Sequence, residues 1–354
     1  MKRTMIIALL STLIMSPGYA LDVGPNDVFV RVIDCGEALS CVVKMPGNQY
    51  MVFDGGLKGL PTLKKIEEVI PPGGTLNLLV VSHAHDDHVG AIPGICRVYT
   101  VERVLRKGAR RPSRASRAAN AAIRREVLTQ GCIDMDLQQI ENIDGAFFRY
   151  GEASVEVLSG YGILPNQWLA EVADAREKEN AGSIVVRLAY KGRSVLFTGD
   201  AVGRHDGQTE DVSILTEKHL IDSSAEFPNR SIQSDVIIAP HHGGDQGSST
   251  PLIKAVSPQF VVFPAGHSRI LQFPRATAAH RYENAGIRVR NIFRTDLGDN
   301  DGPLEWSFGA TARRDRIGDD DVDIVLRANG AVAVQYRSAA DQARQNALVA
   351  SGAR

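Results

Sequence analysis

Ser82-His83-Ala84-His85-Asp86-Asp87-His88-Val89-Gly90 follows an apolar run at residues 76–81. Four of its five histidines and aspartates, His83, His85, Asp87 and His88, are candidate metal ligands. The apolar run predicts a strand that is buried on both faces. His83 and His85 are two residues apart in extended chain and point the same way, while Asp87 and His88 open the next segment. Gly90 permits a close backbone approach there. The sequence therefore predicts several metal-binding groups around one point at a strand end.

Composition places the chain among soluble globular proteins. It has 354 residues, of which 44% are hydrophobic and 23% charged, which is typical of a protein with a substantial core. We expect one large α/β domain over residues 21–337, and we interpret residues 338–354 as a peripheral helix or a frayed end. The formal net charge of −1 excludes a protein that is basic throughout, so affinity for nucleic acid would have to be local.

The first 20 residues have the pattern of a secretory signal peptide. Lys2 and Arg3 precede an apolar run at residues 6–15, and small residues follow up to Ala20. The alternative is an uncleaved anchor, but a membrane span needs about 20 apolar residues. We therefore predict a periplasmic or secreted protein with no integral membrane contact after cleavage.

Export changes how the four cysteines are interpreted. None of them lies in a CxxC zinc pattern, and an even number in an oxidising compartment favours two disulfides. Cys35 and Cys41 flank a predicted hairpin turn, so we predict the pairs Cys35–Cys41 and Cys96–Cys132, although three connectivities are open.

The rest of the chain alternates between predicted strands and helices. Strands or extended segments are predicted at residues 28–33, 40–45, 49–53, 98–105, 147–158, 183–190, 194–197, 235–239, 260–263, 287–293, 322–326 and 332–336. Helices are predicted at residues 63–70, 114–128, 251–256 and 277–285. Potential metal ligands also follow two further predicted strands, in Thr198-Gly199-Asp200 and in Pro240-His241-His242-Gly243-Gly244.

Together these strand ends supply a candidate metal centre. The candidate ligands are His83, His85, Asp87, His88, Asp200 and one of His241 and His242. Imidazole and carboxylate groups in such a set suit zinc or manganese, and two such ions roughly 3.5–4 Å apart can hold a nucleophile and a leaving oxygen. The alternative is chance clustering of histidines in turns, which the recurrence at three strand ends disfavours.

At this point the chain resembles the metallo-β-lactamase superfamily, whose HxHxDH motif appears as His83 to His88. More narrowly it is similar to the hydrolase domain of ComEC-type DNA-uptake proteins. The matching pieces are Asp34-Cys35-Gly36-Glu37, Asp54-Gly55-Gly56, Thr198-Gly199-Asp200 and His241-His242-Gly243-Gly244. The resemblance implies a four-layer αββα sandwich with a site for two divalent metal ions, zinc first and manganese as the alternative, on its open edge.

The resemblance also implies roles for individual residues. His83 and His85 would bind one ion, Asp200 would bridge, and Asp87, His88 and His242 would bind the other ion. His241 would lie behind the ligands and steady charge on the substrate, although the roles of His241 and His242 are open to exchange.

Two departures from the family pattern bear on the substrate. No histidine lies between His88 and His205, and Asn180 stands where the dinuclear β-lactamases carry their middle histidine. This argues against β-lactamase activity and predicts that one ion is held more weakly. Residues 271–274 replace a Gly-His-Pro sequence of the ComEC-type domains, and His267 would replace its histidine only in part.

Charged segments complete the prediction. Residues 103–125 hold nine arginines and lysines and no acidic residue, which predicts either a polyanion-binding patch, with nucleic acid as a partner, or a solvated helix face. Residues 299–302 and 319–321 are predicted as solvated acidic loops, with calcium binding as the alternative.

The sequence therefore predicts a secreted metal-dependent hydrolase that cleaves small or polyanionic phosphodiesters with a metal-bound hydroxide. In this prediction His241, Asp87 and Asn180 are the catalytic residues. The alternatives are an ester, lactone or amide hydrolase, and a metal-stabilised binding protein without turnover.

Overall fold

The structure is a computed structural model that describes residues 21–351 except 109–112, 138, 140–142, 228 and 311–315. The predicted signal peptide at residues 1–20 lies outside the described residues. Within the described part, no helix combines the length and the apolar character that a membrane span requires.

The first half of the chain builds one sheet and its helices. Its elements are β1 (Val28–Val32), β2 (Cys41–Met45), β3 (Gln49–Phe53), α1 (Leu60–Glu67), β4 (Thr75–Leu76), β5 (Leu78–Val81), α2 (Asp86–Val89), α3 (Ile92–Val98), β6 (Thr100–Val101), β7 (Arg103–Arg106), α4 (Arg114–Gln130) and β8 (Ile133–Asp136).

The second half builds the other sheet and then returns to the first. Its elements are β9 (Phe147–Tyr150), β10 (Ala153–Ser159), α5 (Asn166–Glu171), α6 (Ala175–Ala181), β11 (Val185–Tyr190), β12 (Arg193–Phe197), α7 (Leu215–Glu226), β13 (Val236–Ile238), α8 (Thr250–Val256), β14 (Phe260–Phe263), α9 (Ala276–Asn284), β15 (Ile292–Arg294), β16 (Val322–Leu326), β17 (Val332–Tyr336) and α10 (Ala339–Ala350).

Two mixed sheets form the centre of the fold. The eight-stranded sheet has the order β17-β16-β1-β2-β3-β5-β7-β8, and the seven-stranded sheet has the order β15-β14-β13-β12-β11-β10-β9. The last hairpin joins the first sheet because β16 pairs antiparallel with β1. Apolar side chains from both sheets form one core between them, in which the rings of Phe53 and Phe197 lie 5.2 Å apart.

Helices cover the outer face of each sheet. Ile66, Ile95 and Ile123, from α1, α3 and α4, pack on the first sheet. Side chains of α7, α8 and α9 pack on the second sheet in the same way. The four layers are therefore helix, sheet, sheet and helix, which confirms the predicted αββα sandwich.

The strand before the histidines is buried on both faces, as its apolar sequence predicts. Leu78 and Val80 of β5 face the core between the sheets, whereas Leu79 and Val81 face the helices. Helices α3 and α7 and strand β8 are among the elements in stretches for which the sequence predicted other structure or none.

The predicted disulfides are not formed, and all four cysteines are free and buried. Cys41 faces the core between the sheets, whereas Cys35 faces the helices on the other side of the same sheet. Cys96 and Cys132 are also free, and burial raises the pKa of their thiols to about 12 and about 11. These cysteines fill the apolar core as small side chains.

The C-terminal tail forms a helix that packs against the sheet. α10 begins after Ser338, whose hydroxyl accepts a hydrogen bond from the Asp341 amide. The amide of Gln345 is buried and donates to the Ile292 carbonyl in β15. Of the two interpretations of this tail, the structure therefore shows the helix.

Candidate metal centre

The C-terminal ends of five strands meet at one edge of the sandwich. In the first sheet, β3 and β5 are parallel neighbours and end at Asp54 and at the histidine motif. In the second sheet, β12, β13 and β14 are parallel neighbours and end before Asp200, His241 and Pro264. Because parallel strands end at the same edge, residues far apart in sequence are brought together here.

One set of four side chains gathers around Asp200. Nε2 of His88 lies 3.2 Å from Asp200 Oδ1 and 3.5 Å from Asp87 Oδ2. Nε2 of His242 lies 3.6 Å from the same Asp200 oxygen and 3.3 Å from Asp87 Oδ2. These four residues form a group whose candidate ligand atoms all lie within 4.8 Å of one another.

A second set shares Asp200 through its other oxygen. Nε2 of His83 lies 3.5 Å from Asp200 Oδ2 and 2.9 Å from His85 Nδ1. His83, His85 and Asp200 form a second group of candidate ligands. The two carboxylate oxygens of Asp200 thus face different sets, which is the arrangement that a bridging ligand requires.

The donor atoms fit metal ions. His88 Nε2, His242 Nε2 and Asp200 Oδ1 are buried and have no hydrogen-bond partner in the described part of the chain. Orphaned buried polar atoms are costly, so three of them facing one point indicate a ligand there. In a tetrahedral site with bonds of about 2.0–2.1 Å, neighbouring ligand atoms lie roughly 3.3 Å apart. The observed separations of 3.2–3.6 Å match this spacing.

The opposite ring nitrogens of these histidines are held by fixed acceptors. His88 Nδ1 lies 2.8 Å from Asp54 Oδ2, and His242 Nδ1 lies 2.8 Å from the Pro264 carbonyl oxygen. His83 Nδ1 lies 3.1 Å from the Ser82 hydroxyl. Each acceptor favours a proton on Nδ1 and leaves Nε2 free to bind a metal.

Unusual backbone geometry places these side chains at the metal centre. A Cβ on Gly90 would lie 2.2 Å from the Lys58 nitrogen, so only glycine lets α2 approach the loop after β3. His241 and His242 occupy the left-handed region, with φ of 51° and 56°. Such values are uncommon outside glycine and cluster at functional sites. The His241 amide donates to the Gly199 carbonyl, which fixes this turn against Asp200.

Charge within the centre shifts the pKa values of its groups. Burial opposes ionisation of Asp200, but the surrounding imidazoles, His88 first, hold its pKa well below the ordinary value. Burial also opposes the charge on His88, yet Asp200, Asp87 and Asp54 raise its pKa. Burial lowers the pKa of His83 and of His85. The carboxylates are therefore ionised and ready to hold cations.

His241 and Asn180 lie beside the two sets. His241 Nε2 is 3.7 Å from Asp200 Oδ2 and 3.4 Å from Asn180 Nδ2, and its side chain is 20% exposed. His242 is 3% exposed and belongs to the first set, so the geometry favours His242 as the ligand and His241 as its partly exposed neighbour.

The loop after β14 places an aromatic ring against His241 and His242. The ring of Phe273 stacks on His242 with centroids 6.4 Å apart and meets the edge of His241 at 5.7 Å. An apolar ring therefore packs against this pair of histidines at the position where the resemblance placed a histidine.

The prediction that both acidic turns are solvated is wrong for most of their carboxylates, although Asn300 and Asp319 are exposed. Asp299 and Asp321 are completely buried, and the side chain of Asp301 is also inaccessible. Asp321 is paired with Lys65 at 2.6 Å. Asp299 and Asp301 both contact His267. Tertiary contacts that no local pattern encodes explain this difference.

Asp54 is a site residue whose role the sequence did not predict. Its carboxylate accepts hydrogen bonds from the Ser82 amide at 2.7 Å and the Ser82 hydroxyl at 2.6 Å, and it contacts His88. The signal was a carboxylate at a strand end before Gly55-Gly56, but only the three-dimensional structure shows that it faces the histidine.

Fold and site together define a metal-dependent hydrolase. The family model for the metallo-beta-lactamase superfamily matches residues 33–267, which is more than half of the chain. The chain belongs to the metallo-beta-lactamase superfamily. The centre described above lies where the strands of the αββα sandwich end, and its histidines and aspartates indicate a dinuclear metal site.

Two curated proteins are similar to the chain. Competence protein ComA of Neisseria gonorrhoeae is 23% identical over 290 residues, which cover 80% of this chain and 33% of that protein. ComE operon protein 3 of Bacillus subtilis (strain 168) is 24% identical over 234 residues, which cover 66% of this chain and 25% of that protein. The chain thus spans a third or less of the length of these relatives.

Solved structures with this fold are more distant in sequence. The metallo-beta-lactamase fold protein YhfI from Bacillus subtilis has a TM-score of 0.41 at 13% identity, over 75% of this chain and 95% of that chain. The diiron β-hydroxylase CmlA from Streptomyces venezuelae has a TM-score of 0.43 at 16% identity, over 76% of this chain and 52% of that chain.

Proposed function

We propose that this enzyme hydrolyses phosphodiesters and that its natural substrate is a polyanion such as nucleic acid. The observation that carries the proposal is the position of α4. Its capping residue Ser113 donates a hydrogen bond to Asp86 inside the histidine motif. Arg114 and Arg117 are exposed in the first turns of the same helix. The start of α4, which carries these two exposed arginines, therefore lies beside the loop of the histidine motif. Positive charge at that place attracts phosphate groups.

The other basic residues of this stretch have different surroundings. Arg106 is paired with Asp134 and Asp136, and Lys107 is buried against Glu179. Arg103 lies over the ring of Phe148. Arg110 and Arg111 lie outside the described residues, and Arg124 and Arg125 are exposed farther along α4. The proposed binding surface is therefore the start of α4, not the whole of residues 103–125.

The chain's own groups have distinct tasks in this reaction. Zinc, or manganese as the alternative, would supply a nucleophile at neutral pH and offset the charge on the leaving oxygen. Asp200, His83, His85, Asp87, His88 and His242 hold the ions. His241, which is partly exposed beside the ligands, would steady the charge that develops on the phosphoryl group. Asn180 keeps the His241 ring in place through its amide.

One relative is named a competence protein. Together with the resemblance to the hydrolase domain of ComEC-type DNA-uptake proteins, this supports a nucleic-acid substrate. The composition agrees with a local binding surface, because the net charge of the chain is only −1. Burial and the raised pKa of the four cysteine thiols keep them unreactive, so free cysteines are compatible with an oxidising compartment.

The test compares hydrolysis of bis(p-nitrophenyl) phosphate and of single-stranded DNA with hydrolysis of a lactone and a β-lactam, after zinc or manganese is added. We expect turnover of the two phosphodiesters. Replacing Arg114 and Arg117 by alanine should lower kcat/KM for DNA about tenfold, because each exposed ion contact contributes on the order of 0.5–1 kcal/mol. The slope of log(kcat/KM) for DNA against log salt concentration should also become shallower, by about 1.4.

The matched control is the double variant Arg124→Ala and Arg125→Ala. These arginines are exposed on the same helix but lie roughly 10 Å or more farther along its axis. The control variant should behave like the wild type, and both variants should hydrolyse the small phosphodiester normally. Turnover of the lactone or the β-lactam alone would refute phosphodiester hydrolysis.

We also propose that the chain is exported and is cleaved after Ala20. The intact mass of the protein from a periplasmic or secreted fraction should correspond to a chain that begins at Leu21. Replacing four residues of the apolar run at 6–15 by aspartate should keep the protein inside the cell at full length. Recovery of uncleaved protein from the exported fraction would contradict the proposed cleavage.

A further inference from the structure

A second cluster of potential ligands lies outside the dinuclear centre. It consists of His267, which follows β14, and of Asp299 and Asp301, which follow β15. His267 Nδ1 lies 3.2 Å from Asp299 Oδ2 and 2.5 Å from Asp301 Oδ1. Both carboxylates are inaccessible, whereas His267 is 25% exposed. The cluster thus has buried ligands and a route from solvent past the imidazole.

The remaining carboxylate oxygens are already bound to the backbone. Asp299 Oδ1 accepts from the Asn300 amide at 2.8 Å, and Asp301 Oδ2 accepts from the Ser268 amide. Asp299 Oδ2 is in hydrogen-bond contact with His267 Nδ1 at 3.2 Å, and Asp301 Oδ1 also faces this nitrogen. Each aspartate therefore has one oxygen fixed by the chain and the other directed to a common point.

One of these inward oxygens is orphaned. Asp301 Oδ1 is buried and forms no hydrogen bond with the described part of the chain. It lies close to His267 Nδ1, but the N–H does not point at it, so the contact lacks hydrogen-bond geometry. A cation bound between these two atoms would satisfy the orphaned oxygen and move the atoms apart from 2.5 Å to the roughly 3.3 Å spacing of tetrahedral ligands.

The negative charge of the buried carboxylates around the cluster also favours a bound cation. Arg294 is fully buried and directs its guanidinium at Asp296 and Glu305. Burial, together with the charges of Asp301 and Glu305, raises the pKa of Asp299. Burying several carboxylates side by side is costly unless positive charge offsets them.

We propose that His267, Asp299 and Asp301 form a third cation site, separate from the dinuclear centre. The mixture of imidazole nitrogen and carboxylate oxygens selects a divalent ion such as zinc or manganese. An ion there ties the loop after β14 to the turn after β15. That loop also carries the Pro264 carbonyl that holds His242, so the third ion braces a ligand of the first set.

The experiment measures zinc bound per chain after full removal of metal, by titration and elemental analysis. We expect three equivalents for the wild type and two for His267→Ala. The matched control is His280→Ala, an exposed histidine on α9, which should still bind three. Asp200→Asn should lose the two ions of the centre and retain the third, so failure of either site is seen separately.

A second measurement keeps the proposal testable if His267→Ala folds poorly. Crystals of the wild-type protein grown with zinc should give an anomalous scattering peak between His267 and the two aspartates. A His267→Ala variant that binds as much zinc as the wild type, or a crystal without this peak, would overturn the third site. In that case the cluster is an ion pair between an imidazolium and two carboxylates.

Discussion

Asp200→Asn is expected to lose both ions of the dinuclear centre and at least about 100-fold in hydrolytic rate. Substitution of a residue that only supports a metal ligand costs roughly 10–100-fold, and a shared ligand must cost more. Asp200 presents one carboxylate oxygen to each set of donors, with Oδ1 near His88 and His242 and Oδ2 near His83. A neutral amide has one acceptor oxygen, so it cannot serve both sets.

Elemental analysis and the rate with bis(p-nitrophenyl) phosphate test this expectation together. Asp211→Asn serves as the control, because that aspartate is exposed on the loop before α7. If Asp200→Asn keeps its metal and its activity is unchanged, turnover does not depend on the centre. That outcome would favour a metal-stabilised binding protein over an enzyme that acts here.

The ligand set could be predicted from the sequence because its members follow buried strands, and the ends of these strands share one edge of the fold. Continuous apolar runs identified β5 and β13 as buried strands, and the polar residues after them had to lie at strand ends. In an αββα sandwich those ends share an edge, so His83 to His88, Asp200 and His242 converge. The spacing within the histidine motif and the family resemblance supplied the rest.

The parts that were missed depend on contacts across the fold. Whether Cys35 and Cys41 can pair depends on which face of a sheet each one occupies, and hairpin spacing alone does not determine this. The burial of Asp299 and Asp301 follows from packing against His267, which is about thirty residues away in sequence. The left-handed backbone of His241 and His242 is likewise uncommon outside glycine, so the sequence gives little indication of it.

Asp54 provides the sharpest test of how the centre is supported. It is completely buried, and its Oδ2 lies 2.8 Å from His88 Nδ1. With a carboxylate there, Nδ1 carries the proton and Nε2 is free to bind metal. Asparagine would keep an oxygen for the Ser82 amide but would turn an amide donor toward His88. The ring would then favour a proton on Nε2, which prevents it from binding a metal ion.

We therefore expect Asp54→Asn to weaken metal binding at the set of Asp87, His88, Asp200 and His242 by about 10–100-fold. Competition with a chelator of known affinity measures this change, and thermal unfolding of the metal-free protein measures any loss of stability separately. Glu217→Gln is the matched control, because Glu217 is also a buried carboxylate and accepts hydrogen bonds from the Ser248 and Ser249 amides. The control should lose stability without losing metal affinity. Equal zinc affinity in Asp54→Asn and wild type would show that His88 does not need this carboxylate to present Nε2.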